Sequence, residues 1–89
     1  MRQASIFLVE DEVLIRMMLA DMVEELGYRV VAEAGNVQDA RALAETIFFD
    51  IAILDINIAG SSIAPVAAIV ARRALPFFFV SGYGLARAG

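Results

Sequence analysis

The chain has 89 residues, a formal net charge of −4 and a hydrophobic content of 61%. That length allows a single domain, residues 1–89, and no apolar run reaches the ~18 residues of a membrane span. The seven basic residues are scattered arginines, with no stripe to follow a phosphate backbone, which argues against direct nucleic-acid binding.

Ala4 to Val9 (ASIFLV) is short, apolar and bounded by charge, which predicts a buried strand. From Asp11 to Leu26 the residues Leu14, Ile15, Met18, Leu19, Met22, Val23 and Leu26 recur at helical spacing, and Gly27 follows as a stop. The pattern predicts an amphipathic helix whose methionines fill core space. Tyr28 to Ala34 (YRVVAEA) reads as a second strand. Asn36 then offers a helix cap with Asp39 at the third helical position, and Ala40, Leu43, Ala44 and Ile47 give a short apolar face. Ile51 to Asp55 is a third strand, and NIAGSS after it a loop. Pro65 opens a helix running to about Ala74, which Leu75-Pro76 ends. Arg72 and Arg73 are expected to meet its dipole and solvent. Phe77 to Val80 (FFFV) is a fourth strand before the turn-like Ser81-Gly82-Tyr83-Gly84.

This β-α-β-α-β-α-β alternation, with strands apolar along their whole length, predicts a doubly wound α/β fold: a parallel sheet covered by helices on both faces. Ligands of such sheets bind beyond the carboxyl ends of the strands. There the first strand offers Glu10, Asp11 and Glu12, the third Asp55 and then Asn57, and the fourth Ser81. With the first and third strands adjacent, Glu10, Asp11 and Asp55 converge.

A buried ionised Asp needs a partner, and three converging carboxylates repel one another unless a proton or a cation joins them. Mg²⁺ suits such a set, because it takes oxygen ligands only and is usually held by carboxylates together with phosphate oxygens. With Asp55 as a phosphoryl acceptor, the cation would offset charge on the transferring group and the Ser81 hydroxyl could bond a phosphoryl oxygen. Each residue alone has a plainer reading. Asp55 can cap a turn, Glu10 and Asp11 can favour a helix N-terminus, Ser81 can be a turn residue, and Glu12 belongs to the helix start. The chain has no His, no Lys and no Cys, so carboxylates, hydroxyls and backbone must carry any chemistry. The lack of Cys and of a secretory leader in MRQASIFLVEDE leads us to expect a cytoplasmic protein.

Three segments resemble the response-regulator receiver domain, the phosphoacceptor of bacterial two-component signalling. LVEDE (Leu8 to Glu12) resembles its acidic start, ILDINIAG (Ile53 to Gly60) its phosphorylation loop, and FVSGYG (Phe79 to Gly84) its Ser/Thr switch motif. PFFFVSGYG is also similar to the PFxFATGY motif of the FAT GUY receiver subclass, with Val80-Ser81 in place of Ala-Thr. In that subclass the following helix is irregular or mobile, with which Gly82 and Gly84 are compatible.

The resemblance implies a flavodoxin-like sheet in the strand order 2-1-3-4. It implies that Glu10, Asp11 and Asp55 bind Mg²⁺ with the backbone carbonyl of Asn57, and that Asp55 is phosphorylated from a sensor histidine kinase or phosphotransfer protein. Ser81 would then move towards the phosphoryl group, switching a surface for a downstream protein target. Such a domain is not an enzyme, beyond slow self-phosphorylation from small donors and autodephosphorylation.

Receivers usually add a fifth strand with an invariant Lys and a final helix, whereas this sequence contains no Lys. A guanidinium such as that of Arg87 is a poor substitute for a compact ammonium. Without those elements FFFV is expected to be a bare sheet edge and the first helix partly uncovered. A homo-oligomer is then expected, by edge pairing or by exchange of elements between chains. The hydrophobic content, above the about 45–50% of typical domains, accords with this. Two other functions compete. One is a phosphorylation-independent interaction or dimerisation module. The other is a phosphohydrolase of the haloacid dehalogenase kind, which requires an Asp where Asn57 stands and a Lys that is absent.

Overall fold

The computed structural model describes residues 3–81 and 84–87, so Gly82 and Tyr83 of the switch motif lie outside the described residues. The elements run β1 (Ser5–Val9), α1 (Val13–Glu25), β2 (Arg29–Ala34), α2 (Val37–Thr46), β3 (Ile51–Asp55), β4 (Asn57–Ile58), β5 (Ser61–Ser62), α3 (Ala64–Arg72), β6 (Phe77–Ser81) and β7 (Gly84–Arg87). The main sheet has the order β2-β1-β3-β6-β7. Its first four members are mutually parallel and stand in the expected receiver order.

The apolar strands divide their side chains between two cores, because successive residues of a strand point to opposite faces. Phe7 and Val9 enter the core under α2 and α3, with Phe49, Ala52, Leu54, Val66 and Val70. Ile6 and Leu8 enter a smaller core under α1, with Val23, Ile53 and Val80. Phe7 and Phe49, both fully buried, meet at a tilt of 42° with ring centroids 5.2 Å apart. At the amino ends of the strands Ser5 and Asp50 lock β1 to the start of β3. The Ser5 N–H and hydroxyl donate to Asp50 Oδ2 at 2.7 and 3.0 Å, and the Asp50 N–H donates to the Ser5 carbonyl at 2.9 Å.

Helix α2 starts as its sequence dictates: Asn36 Oδ1 accepts from the Asp39 N–H at 2.8 Å, and Asn36 Nδ2 donates to Asp39 Oδ2. Pro65 lies in the first turn of α3. Arg73, at the end of α3, is not left to solvent. Its guanidinium lies 5.1 Å from the centroid of Phe49 and donates to the Ala44 carbonyl, one of the last carbonyls of α2, which lack a partner within their helix.

Three further expectations are corrected. Met18 and Met22 do not fill the core but are 62% and 48% exposed, beside exposed Val13, Leu14 and Met17; of α1 only Val23 is buried. The periodicity identified residues sharing a face, but α1 packs on the sheet, chiefly on β1 and β2, at its Leu19, Ala20 and Val23 side. The uncovered first helix is therefore as expected, and its methionines are part of what is uncovered. Secondly, β6 is not a sheet edge. Gly84–Arg87 pairs with it antiparallel, from Ser81 opposite Gly84 to Phe78 opposite Arg87, and satisfies the backbone groups that a bare edge would leave unpaired. Thirdly, NIAGSS is a hairpin, with Asn57 paired to Ser62 and Ile58 to Ser61.

Candidate functional site

The parallel arrangement brings the carboxyl ends of β1, β3 and β6 together. Val9 pairs with Leu54 and Asp55 with Val80, so the residues just past β1 meet the last residue of β3. Glu10 is held there by its N–H, which donates to the Ala34 carbonyl at 3.0 Å, and by its Oε2, which accepts from the Glu12 N–H at 2.9 Å. Although it is charged in isolation, only 3% of it is exposed.

Asp11 is fixed from the β4–β5 hairpin: its Oδ2 accepts from the Ala59 N–H at 3.0 Å. Ala59 and Gly60 form the two-residue connection, with φ of 51° and 82°. Positive φ at both central positions is what the twist of a tight hairpin favours, and it is costly for Ala, which lacks the freedom of Gly. The hairpin thus turns a backbone donor towards Asp11. Asp55 is half-buried, with the Asn57 N–H 3.4 Å from its Oδ1, and the chain beyond it is tied to β6 by the Ile56 N–H donating to Val80 at 3.1 Å.

Glu10, Asp11 and Asp55 each offer one oxygen, and these oxygens lie within 4.8 Å of one another. They line an open cleft of about 510 Å³ together with Glu12, Ile15, Asn57, Ala59, Gly60 and Ser81. The structure therefore brings every predicted site residue into one place, and Glu12, assigned from sequence only to the helix start, lines its rim.

The electrostatics are those of acids sharing protons. Burial, with the neighbouring Asp11 and Asp55, pushes the Glu10 carboxyl up from 4.5 to about 7, against the opposing pull of the Glu12 N–H. Burial also raises Asp55, aided by the charge of Asp11. Burial acts on Asp11 in the same sense, but hydrogen bonds from Glu10 and from the Ala59 N–H outweigh it and leave this carboxyl below its ordinary value. A site of oxygen donors only, with more negative charge than it can hold ionised, fits a hard divalent cation such as Mg²⁺.

The model of the response regulator receiver domain family matches residues 6–85. The chain belongs to that family. Receivers are signalling domains of two-component systems rather than enzymes, and generally bind Mg²⁺ at an acidic pocket. This receiver is 40% identical over 78 residues to the transcriptional regulatory protein PdtaR of Mycobacterium tuberculosis, a match covering 74% of this chain and 38% of that protein. Among solved structures it is similar to SdrG from Sphingomonas melonis Fr1, with 42% identity, a TM-score of 0.80, and coverage of 88% of this chain and 67% of that one. It is also similar to PhyR from Brucella abortus, with 36% identity, a TM-score of 0.79, and coverage of 89% and 33%. PhyR of Bartonella quintana, solved in complex with the anti-sigma factor NepR, matches at 30% identity and a TM-score of 0.77, over 86% of this chain and 33% of PhyR.

Gly84–Arg87 is a strand, β7, where the resemblance to the FAT GUY subclass implies an irregular or mobile helix. The register sets the Arg87 backbone opposite Phe78, three residues from Ser81 and so about 10 Å down the sheet from the cleft. Sequence reasoning missed the hairpin donor at Ala59, because two-residue strands carry no periodicity and only Gly60 hinted at a turn. It also missed Arg16, whose guanidinium donates to the Glu10 carbonyl at 2.8 Å.

Proposed function

We propose that this receiver accepts a phosphoryl group on Asp55, with Glu10, Asp11, Asp55 and the backbone carbonyl of Asn57 holding a Mg²⁺ ion. The convergence of three carboxylate oxygens within 4.8 Å at the strand ends, in a cleft that Ser81 also lines, carries this reading. An Asp55 oxygen attacks the phosphorus of a phosphohistidine on a sensor kinase or phosphotransfer protein; the P–N bond breaks, its electrons stay with the imidazole, and an aspartyl phosphate results. A bound cation would offset charge on the transferring group. Glu10 and Asp11 serve as its anchors, and the Ser81 hydroxyl as a donor to a phosphoryl oxygen. The readout is a changed surface for a downstream protein, and a protein target accords with the PhyR relative solved in complex with NepR. Acid-labile, Mg²⁺-dependent labelling by acetyl phosphate tests the assignment. Asp55→Asn should abolish it, and equal labelling of that variant would refute it.

A second reading is favoured by one observation, the apolar surface that Leu14, Met17, Met18 and Met22 expose on α1. On that reading the domain binds its protein partner regardless of phosphorylation, and partner affinity is the same before and after labelling. Self-association also belongs here, now resting on the apolar exposed side of α1 and on element exchange rather than on a β6 edge. Among the described residues no helix is long and apolar enough to cross a membrane, and a cytoplasmic location suits a kinase-fed receiver.

A further inference from the structure

Arg16 lies in α1, outside the ring of carboxylates, yet its guanidinium reaches back across the end of the sheet. Nη1 donates to the Glu10 carbonyl at 2.8 Å, and Nε pairs with Glu33 Oε1 at 3.2 Å. The opening it fills exists because residue 35 is Gly: a Cβ there would stand 2.7 Å from Nη1. The Glu10 backbone is thereby fixed at both of its polar groups, since its N–H already donates to Ala34. The peptide unit held by Arg16 is the one that joins Glu10 to Asp11, the two acids of the first strand end.

The ion pair itself explains little. Glu33 is 43% exposed, and exposed pairs contribute about 0–1 kcal/mol. The bond to the Glu10 carbonyl is of a different kind, a charge-assisted bond to a half-buried backbone oxygen whose movement would carry Asp11 with it. Mg²⁺ tolerates little departure from octahedral geometry, so its affinity depends on how firmly such outer groups set the ligands.

We infer that Arg16 is a positioning residue for the divalent cation: its guanidinium, seated in the gap left by Gly35, holds the Glu10 carbonyl and so presets the spacing of the Glu10 and Asp11 carboxylates. This rests on the proposed cation site. The test uses Arg16→Met, Arg16→Lys and Gly35→Ala. The last keeps the charge and adds one methyl whose close contact is the mobile tip of the guanidinium, so it displaces the group without opening the core.

Mg²⁺ affinity of the unphosphorylated protein is measured by titration calorimetry. Labelling by acetyl phosphate is then followed against Mg²⁺ concentration, with circular dichroism on every variant. Arg16→Met and Gly35→Ala should weaken Mg²⁺ binding about tenfold. They should raise the half-saturating Mg²⁺ equally while leaving the labelling rate at saturation unchanged, and Arg16→Lys should recover part of the loss. Folded Gly35→Ala and Arg16→Met proteins that bind Mg²⁺ like the wild type would overturn the inference, as would a lowered plateau with unchanged half-saturation. A wild type that binds no Mg²⁺ would overturn the proposed function along with it, whereas a wild type that binds and variants that do not differ would overturn only the role of Arg16.

Discussion

Replacing Glu10 by Gln should make the metal-free protein more stable, although it removes a residue of the proposed site. Glu10 is almost wholly buried beside two other acids, and its carboxyl is raised from 4.5 to about 7. The folded state then binds a proton more tightly than the unfolded state between those values. Stability from this group is fully present below 4.5 and is lost as pH rises through about 7. The rise corresponds to at most about 3 kcal/mol, part of which the lowered Asp11 offsets. Gln has the same shape, keeps an oxygen for the Glu12 N–H and carries no charge. In chelator at pH 8, urea unfolding followed by circular dichroism should therefore find Glu10→Gln more stable by about 1–3 kcal/mol. The gain should shrink as the pH falls towards 4.5, and excess Mg²⁺ should close the gap by stabilising the wild type. A difference independent of pH, or a wild type that is the more stable in chelator at pH 8, would refute the reasoning.

Arg73→Met should lower stability by about 1–2 kcal/mol, because it removes both the cation above Phe49 and the donor to the Ala44 carbonyl. An unchanged urea midpoint would count against that clamp. The exposed side of α1 should drive concentration-dependent association in sedimentation velocity, and Leu14→Gln with Met18→Gln should suppress it. A wild type that stays a monodisperse monomer at every concentration would end that idea.

The parallel frame was legible because its signals are local and repeated: apolar runs at four strand positions, an Asn36 cap, a Pro at the start of α3 and Gly27 at the end of α1. The acids of the site were legible because a carboxylate ending an apolar strand has to be explained by a partner. What escaped reading depends on groups far apart in sequence. The guanidinium of Arg73 serves a carbonyl in another helix, and that of Arg16 fits a space left by Gly35. Ala59 takes a positive φ that its residue type does not announce. The spacing of Leu14, Met18 and Met22 fixed which residues lie side by side, but not that they would face outwards, since a helix pattern carries no information about what covers it.

The bonds between Ser5 and Asp50 lie at the end of the sheet away from the carboxylates, a strand's length of about 17 Å from Glu10. They fix which residue of β1 stands beside which residue of β3. Sliding one strand by a single residue would displace Asp55 by about 3.3 Å and exchange its face of the sheet with that of Leu54. No intermediate setting exists, because the hydrogen-bond ladder steps in whole residues. The spacing of the acids at one end is thus decided by a choice among discrete alignments made at the other, as a key's cut is set by counting notches from its shoulder.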